Sequence, residues 1–324
     1  MKIICFIVSF VTAIFCQQIK IEETKSIGLN DDFIFVELHQ ILFHKNNIFL
    51  SDRAGFTFYK FSNDLKLLGS VGNKGRGPSE FVTGPSYLGS VQDTILVFDS
   101  NGNRKVHYYN ADLKYIKTRN LIDMPRAAII RDNYKICSLY EFDTEQMLTF
   151  FSTDFQRKNS IKVKNLDEFT PLNLFKIQAD KNNNLVVQYQ FRNLVQIYSP
   201  KGEIISEFSI DEIRHKPEFE KIERGKMTPF KKRNPKTASI FSNIPINGST
   251  IYRAVPDNKG RIFVQGGRYE DEIWKTVFIT DYKGKLLGKV YLTLNEILAG
   301  FDEQNNLYTF AEERTVLKKY KVLD

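Results

Sequence analysis

Four histidines and three cysteines are the first residues to consider for metal or nucleophilic chemistry. His39, His44, His107 and His215 form no H-x-x-x-H pair, the spacing that lets one helix face present two imidazoles to zinc. No G-x-S-x-G segment supplies an elbow-borne serine. Cys137 sits in the apolar run Tyr134-Lys135-Ile136-Cys137-Ser138-Leu139, where a thiol packs as a small hydrophobe. Cys5 and Cys16 belong to the leader discussed below, so one thiol remains and no internal disulfide can form. No cofactor is expected on these grounds. Calcium stays open, because its oxygen ligands can come from distant parts of a chain.

Charged residues suggest binding rather than catalysis. Asp52 and Asp99 end two strand-like runs, Asn47–Asp52 and Thr94–Asp99, with Arg53 and Arg104 nearby. They read either as rim residues of a channel or as turn caps accepting backbone N–H groups. The segment Gly72-Asn73-Lys74-Gly75-Arg76-Gly77-Pro78-Ser79-Glu80-Phe81 has the glycines of a phosphate cradle, but such a loop should lead into a helix. Here Pro78 and strand-like sequence follow, so the segment reads as a rigid turn. Its glycines should adopt positive φ, and Lys74, Arg76 and Glu80 should project from it. Residues 211–249 form an insertion. Within it, 214–236 carry nine basic side chains against three acidic ones, densest at Lys231-Lys232-Arg233. Such a run attracts anionic partners, or is a solvated loop. No aromatic stacking surface interleaves it, and nucleic acid is not expected.

The elements that must carry these residues repeat along the chain. A polar turn precedes a short apolar strand, then a second strand ending in an aromatic residue, then a turn with Asp-Leu or Lys-Gly. Copies begin near Asn47, Thr94, Tyr134, Asn184, Arg261 and Asn306, spaced by about 40 to 50 residues with one gap of nearly 80. The insertion fills that gap. Such a period predicts an all-β fold, a six-bladed β-propeller. The sixth copy lacks an outer strand, and Ile19–Lys25 is an unassigned extended segment. The ring is therefore expected to close with its N-terminal strand, leaving no free edge. The 27 Phe and 15 Tyr suit strands, and 42% hydrophobic with 26% charged residues excludes disorder and a polytopic membrane protein.

Residues 1–16 read as a signal peptide. Lys2 precedes the apolar run Ile3–Phe15, too short to span a bilayer, so no transmembrane segment is expected. Cleavage after Cys16 would leave a 17–324 domain starting at Gln17. The alternative is an outer-membrane lipoprotein acylated on Cys16, although Phe15 is not the small residue that processing prefers. Either route exports the protein, to the periplasm or beyond the cell.

The run Gly72–Phe81 resembles the G-x-x-G-x-G-P-x-E-F signature of a secreted six-bladed β-propeller family of Bacteroidota, similar in shape to NHL-repeat propellers. The flanking strands fit as well. The resemblance implies the fold and export but no particular activity. The expectation is a non-enzymatic, monomeric binding protein that recognises a protein, peptide or glycan, an anionic one included, on one face of the disc. Its candidate residues are Asp52, Lys74, Arg76, Glu80, Asp99, Lys231, Lys232 and Arg233. The alternative is a metal-dependent hydrolase or lyase at the central channel mouth, since propeller lyases and lactonases hold a metal near the axis.

Overall fold

The structure is a computed structural model. It describes residues 17–28, 31, 33–99, 104–121, 125–131, 134–139, 147–152, 155–163, 175–213, 250–267 and 271–323. The leader 1–16, with Cys16, lies outside the described residues, as do 214–249 of the insertion and hence Lys231, Lys232 and Arg233. Cys137 lies on a described strand, but its side chain is outside the described set.

The chain opens with β1 (Gln17–Gln18) and β2 (Lys20–Ile27). Blade one is β3 (Leu38–His44), β4 (Asn47–Asp52), β5 (Thr57–Ser62) and β6 (Leu67–Val71). Blade two is β7 (Tyr87–Val91), β8 (Thr94–Asp99), β9 (Lys105–Asn110) and β10 (Tyr115–Asn120). Blade three is β11 (Pro125–Arg131), β12 (Tyr134–Leu139), β13 (Met147–Phe151) and β14 (Arg157–Lys162). Blade four is β15 (Phe175–Ala179), β16 (Leu185–Tyr189), β17 (Val195–Tyr198) and β18 (Ile204–Phe208). Blade five is β19 (Ile251–Pro256), β20 (Arg261–Gly266), β21 (Thr276–Asp281) and β22 (Leu286–Tyr291), with helix α1 (Asp271–Lys275) before β21. Blade six is β23 (Ile297–Phe301), β24 (Leu307–Ala311) and β25 (Val316–Leu323), completed by β2. Each blade is an antiparallel up-and-down sheet.

One turn chemistry explains why the copies fold alike. Between third and fourth strands, Ser62, Asn110, Ser152, Ser199 and Asp281 each accept the backbone N–H four residues on. The fourth residue of each turn is left-handed: Leu65, Leu113, Phe155, Gly202 and Gly284. Glycine adopts that φ without steric cost, whereas a β-carbon meets the following carbonyl. Leu65, Leu113 and Phe155 offset the cost by packing on the core. This accounts for the alternation of Asp-Leu with Lys-Gly. Asp180, Asp257 and Asp302 do the same between first and second strands, each capping the N–H four residues on.

The core consists of six apolar clusters among the described residues, one at each blade interface. Phe49, Phe58 and Phe81 meet Leu88, Ile95 and Tyr109 between blades one and two. Tyr308, Phe310 and Leu317 meet Ile41, Ile48 and Leu50 between blades six and one. Buried glutamines stitch neighbours together. Gln188 of β16 donates to the Tyr252 carbonyl of β19 at 2.8 Å, and Gln265 of β20 accepts Leu298 N of β23 at 3.1 Å.

Closure follows the sequence expectation. β2 pairs with β25 from Lys20↔Leu323 to Ile27↔Leu317. β1 lies parallel to β22, with Gln17 opposite Gly288, so the N-terminal segment straps blade five to blade six.

Candidate functional site

The first strands β3, β7, β11, β15, β19 and β23 touch in a closed cycle and wall a central channel. Every blade repeats one up-and-down path, so all six start at the same end of the ring. That end also holds the loops between second and third strands. Backbone bonds join the two sets, as where Arg53 N of the β4–β5 loop donates to Glu37 O just before β3 at 2.9 Å.

Basic side chains gather at this strand-start mouth. His39 is the second residue of β3, Lys176 the second of β15 and Arg253 the third of β19. Arg53 comes from the β4–β5 loop, and Arg314 from the 3-10 turn Glu312–Arg314 between β24 and β25. Tyr252 is the hub. Lys176 Nζ lies 4.3 Å from its ring centroid and donates to its carbonyl at 3.1 Å. Its ring packs edge-on against Trp274 at 4.8 Å. Its hydroxyl accepts from Arg314 Nη2 at 2.6 Å, while Arg314 Nη1 reaches Glu37 Oε1 at 3.1 Å. The backbone that presents Arg314 is strained: Glu312, Glu313 and Arg314 have φ of 47°, 57° and 73°. Three consecutive left-handed non-glycine residues cost about 1–2 kcal/mol each.

Glu37 is the one carboxylate that bonds to this group among the described residues. Arg253 Nε and His39 Nδ1 are buried without a hydrogen-bond partner there. Burial, then Arg253, Arg314, Arg53 and Lys176, push the His39 imidazole down to about 3, so it is neutral at pH 7. Burial first, with Arg253 and Arg314 adding repulsion, holds the Lys176 ammonium well below its usual range. Burial also lowers Arg253. Buried cations without a counter-charge are costly, and such sites are candidates for function.

The residues singled out from sequence fall elsewhere. Asp52 is fully buried, accepting from Val36 N and Glu37 N at 2.8 Å and from Gly55 N at 2.9 Å. It thereby fixes the segment that carries Glu37. Asp99 is its counterpart in blade two, accepting from Val82 N at 2.7 Å and Thr83 N at 3.0 Å. The Gly72–Phe81 segment is a clasp closed on itself. Gly77 N donates to Glu80 Oε2 at 2.6 Å, Gly75 N to Phe81 O at 3.0 Å, and Phe81 N to Asn73 O at 2.9 Å. Those N–H groups are occupied, which leaves no phosphate cradle. Of the three glycines expected at positive φ only Gly72 has it, at 111°, and Ser79 supplies the other left-handed residue. Gly75 and Gly77 are needed for room, because a β-carbon on either would press on the Glu80 carboxylate. Lys74 and Arg76 are exposed, with Lys74 Nζ 5.3 Å from the Phe56 ring centroid. His107 is a core residue, bonded through Nδ1 to Thr118 Oγ1 at 2.8 Å and packed on Phe81.

Sequence reasoning passed over Lys176, Arg253, Arg314 and Tyr252. The available signal was a lone basic residue near the start of a first strand, repeated in Lys176 of FKIQA and Arg253 of IYRAVP. At the opposite end the channel opens into a cavity of about 710 Å3, lined by Gln40, Ser90, Gln178, Asn258, Phe301 and others. Among the described residues no three His, Cys, Asp or Glu side chains gather to hold a metal, and no helix is long and apolar enough to cross a membrane.

Residues 23–285 match the family DUF5128, described as a 6-bladed beta-propeller. No curated protein sequence matches the chain. Among solved structures, a Bacteroides fragilis protein whose export is inferred aligns at a TM-score of 0.62 and 13% identity, over 95% of each chain. A Bacteroides vulgatus member of the duf4221 family gives 0.59 and 12%, over 95% of this chain and 99% of that one. Virginiamycin B lyase from Staphylococcus aureus gives 0.51 and 10%, over 94% and 100%. At these identities the likeness is one of fold.

Proposed function

The chain belongs to the DUF5128 family of six-bladed β-propellers, and we propose that it is an exported, non-enzymatic binding protein. It takes a negatively charged group of a protein, peptide or glycan partner into the strand-start mouth. The observation that carries this reading is the convergence of Arg53, Lys176, Arg253 and Arg314 around His39, with Glu37, bonded to Arg314, as the one carboxylate among the described residues that bonds to the group. A folded protein keeps such an arrangement at a cost to stability, which an anionic partner would offset. The exposed Lys74 and Arg76 lie in a fourth-to-first-strand connection of the same face. The insertion with Lys231, Lys232 and Arg233 enters between β18 and β19, another such connection, and would widen the positive field that steers the partner in.

The test is a titration of the purified protein with an acidic peptide and a neutral peptide of equal length, at low and high salt. The acidic peptide is expected to bind more tightly, to weaken with salt, and to weaken again in Lys176→Gln. Equal binding of both peptides, or no effect of the substitution, overturns the reading. Export is tested by intact mass. A chain starting at Gln17 supports plain secretion, acyl mass on Cys16 supports a lipoprotein, and an uncleaved chain in the cytoplasm overturns both.

A further inference from the structure

We propose that the strand-start mouth seats a tetrahedral oxyanion carrying two negative charges, either free phosphate or the phosphate of a monoester. This deepens the reading above and rests on it. The first argument is directional. His39 comes from blade one, Lys176 from blade four, Arg253 from blade five and Arg314 from blade six, so the donors approach the axis from different sides. A tetrahedral group offers oxygens in several directions, whereas a carboxylate offers two in one plane. The second argument is the balance of charge. Arg314 is committed to Glu37 and to the Tyr252 hydroxyl. Arg53, Lys176 and Arg253 make no ion pair with a described carboxylate, and one negative charge among three cations leaves most of the repulsion in place. The third is unfilled bonding capacity. Arg253 Nε is buried without an acceptor among the described residues, and so is His39 Nδ1. Neutral His39 can donate from one ring nitrogen without adding to the positive charge.

Lys176 completes the device. Its ammonium is disfavoured by burial and by Arg253 and Arg314. A dianion beside it supplies the counter-charge that this ammonium otherwise lacks.

The experiment uses the purified protein and its Arg253→Met variant, with sodium phosphate, phenyl phosphate and sodium acetate at matched ionic strength. Arg253 has no acceptor to lose, so the variant is expected to melt at least as high as the parent without ligand. Phosphate is expected to raise the parent's melting temperature and to bind about tenfold more tightly than acetate, with the preference lost in Arg253→Met. Phenyl phosphate binding like phosphate identifies a monoester seat; phosphate alone identifies a free-ion site. Should Arg253→Met fail to fold, Lys176→Gln replaces it in every arm. Acetate binding as tightly as phosphate overturns the dianion inference and leaves the anionic-partner reading standing. A parent that responds to none of the three anions, or equally with and without the substituted side chain, overturns both.

Discussion

Arg314, carried by the last blade, bonds to Glu37 in the segment entering the first, at 3.1 Å across 277 residues of sequence. The same bond spans the seam of the ring and neutralises one cation of the basic mouth. Glu37→Gln should therefore have two effects of opposite sign. Losing a partly exposed ion pair and leaving Arg314 uncompensated should destabilise the fold by about 1 kcal/mol. Removing the negative charge should tighten anion binding. Denaturant titration and calorimetry on one sample check both, and a variant that loses stability without gaining affinity would place Glu37 outside the recognition surface.

Acid should unfold the protein earlier than carboxylate protonation alone requires. His39 titrates at about 3 and His107 at about 4 in the folded chain, against an ordinary value near 6.5. Both shifts are led by burial. The cations Arg253, Arg314, Arg53 and Lys176 reinforce the shift at His39, and Lys105 reinforces it at His107 while Asp99 opposes it. As pH falls below 6.5 the unfolded chain takes up protons that the native state refuses, and stability drops until the folded values are reached. Between pH 6.5 and 5 each histidine should account for about 1–2 kcal/mol. His39→Gln should flatten that limb, read as denaturant midpoints at the two pH values.

Gly75→Ala should displace the Glu80 carboxylate and break its bond from Gly77 N, costing about 1 kcal/mol. In a Glu80→Ala background the same substitution should cost much less, because the group it collides with is gone. Additive effects in the double-mutant cycle would mean that the clasp is held by something other than this contact.

Removing residues 17–27 should strip β2 from β25 and bare the edge of blade six. Aggregation or a large drop in melting temperature is expected, measured by light scattering and calorimetry. A truncated protein that melts with the parent would deny the N-terminal strand its part in closure.

The ring was legible because its instructions are local. Ser62 to Lys66 or Asp281 to Lys285 is a five-residue turn, and each copy announces itself by composition. The basic mouth was not legible, since His39, Lys176, Arg253 and Arg314 meet through ring closure and share no spacing. Asp52 and Asp99 stood out for their repeated position, and that repetition reflects a shared structural role, since each clamps the connection entering its own blade. Gly75 and Gly77 show a different limit. Composition marks glycine but does not say whether φ or room requires it, and here the deciding neighbour, Glu80, is visible only in space.

The pairing of Lys20 with Leu323 also sets an order of events during synthesis. A ribosome delivers β2 among the first residues of the domain and its partner β25 among the last. Blades one to five can assemble as they emerge, each on its predecessor, while β2 waits without a mate. The contact of longest sequence separation thus forms last, and loop-closure entropy opposes it more than any other pairing. During that interval the first blade presents an uncovered flank, with Ile41, Ile48 and Leu50 exposed to whatever else is in solution.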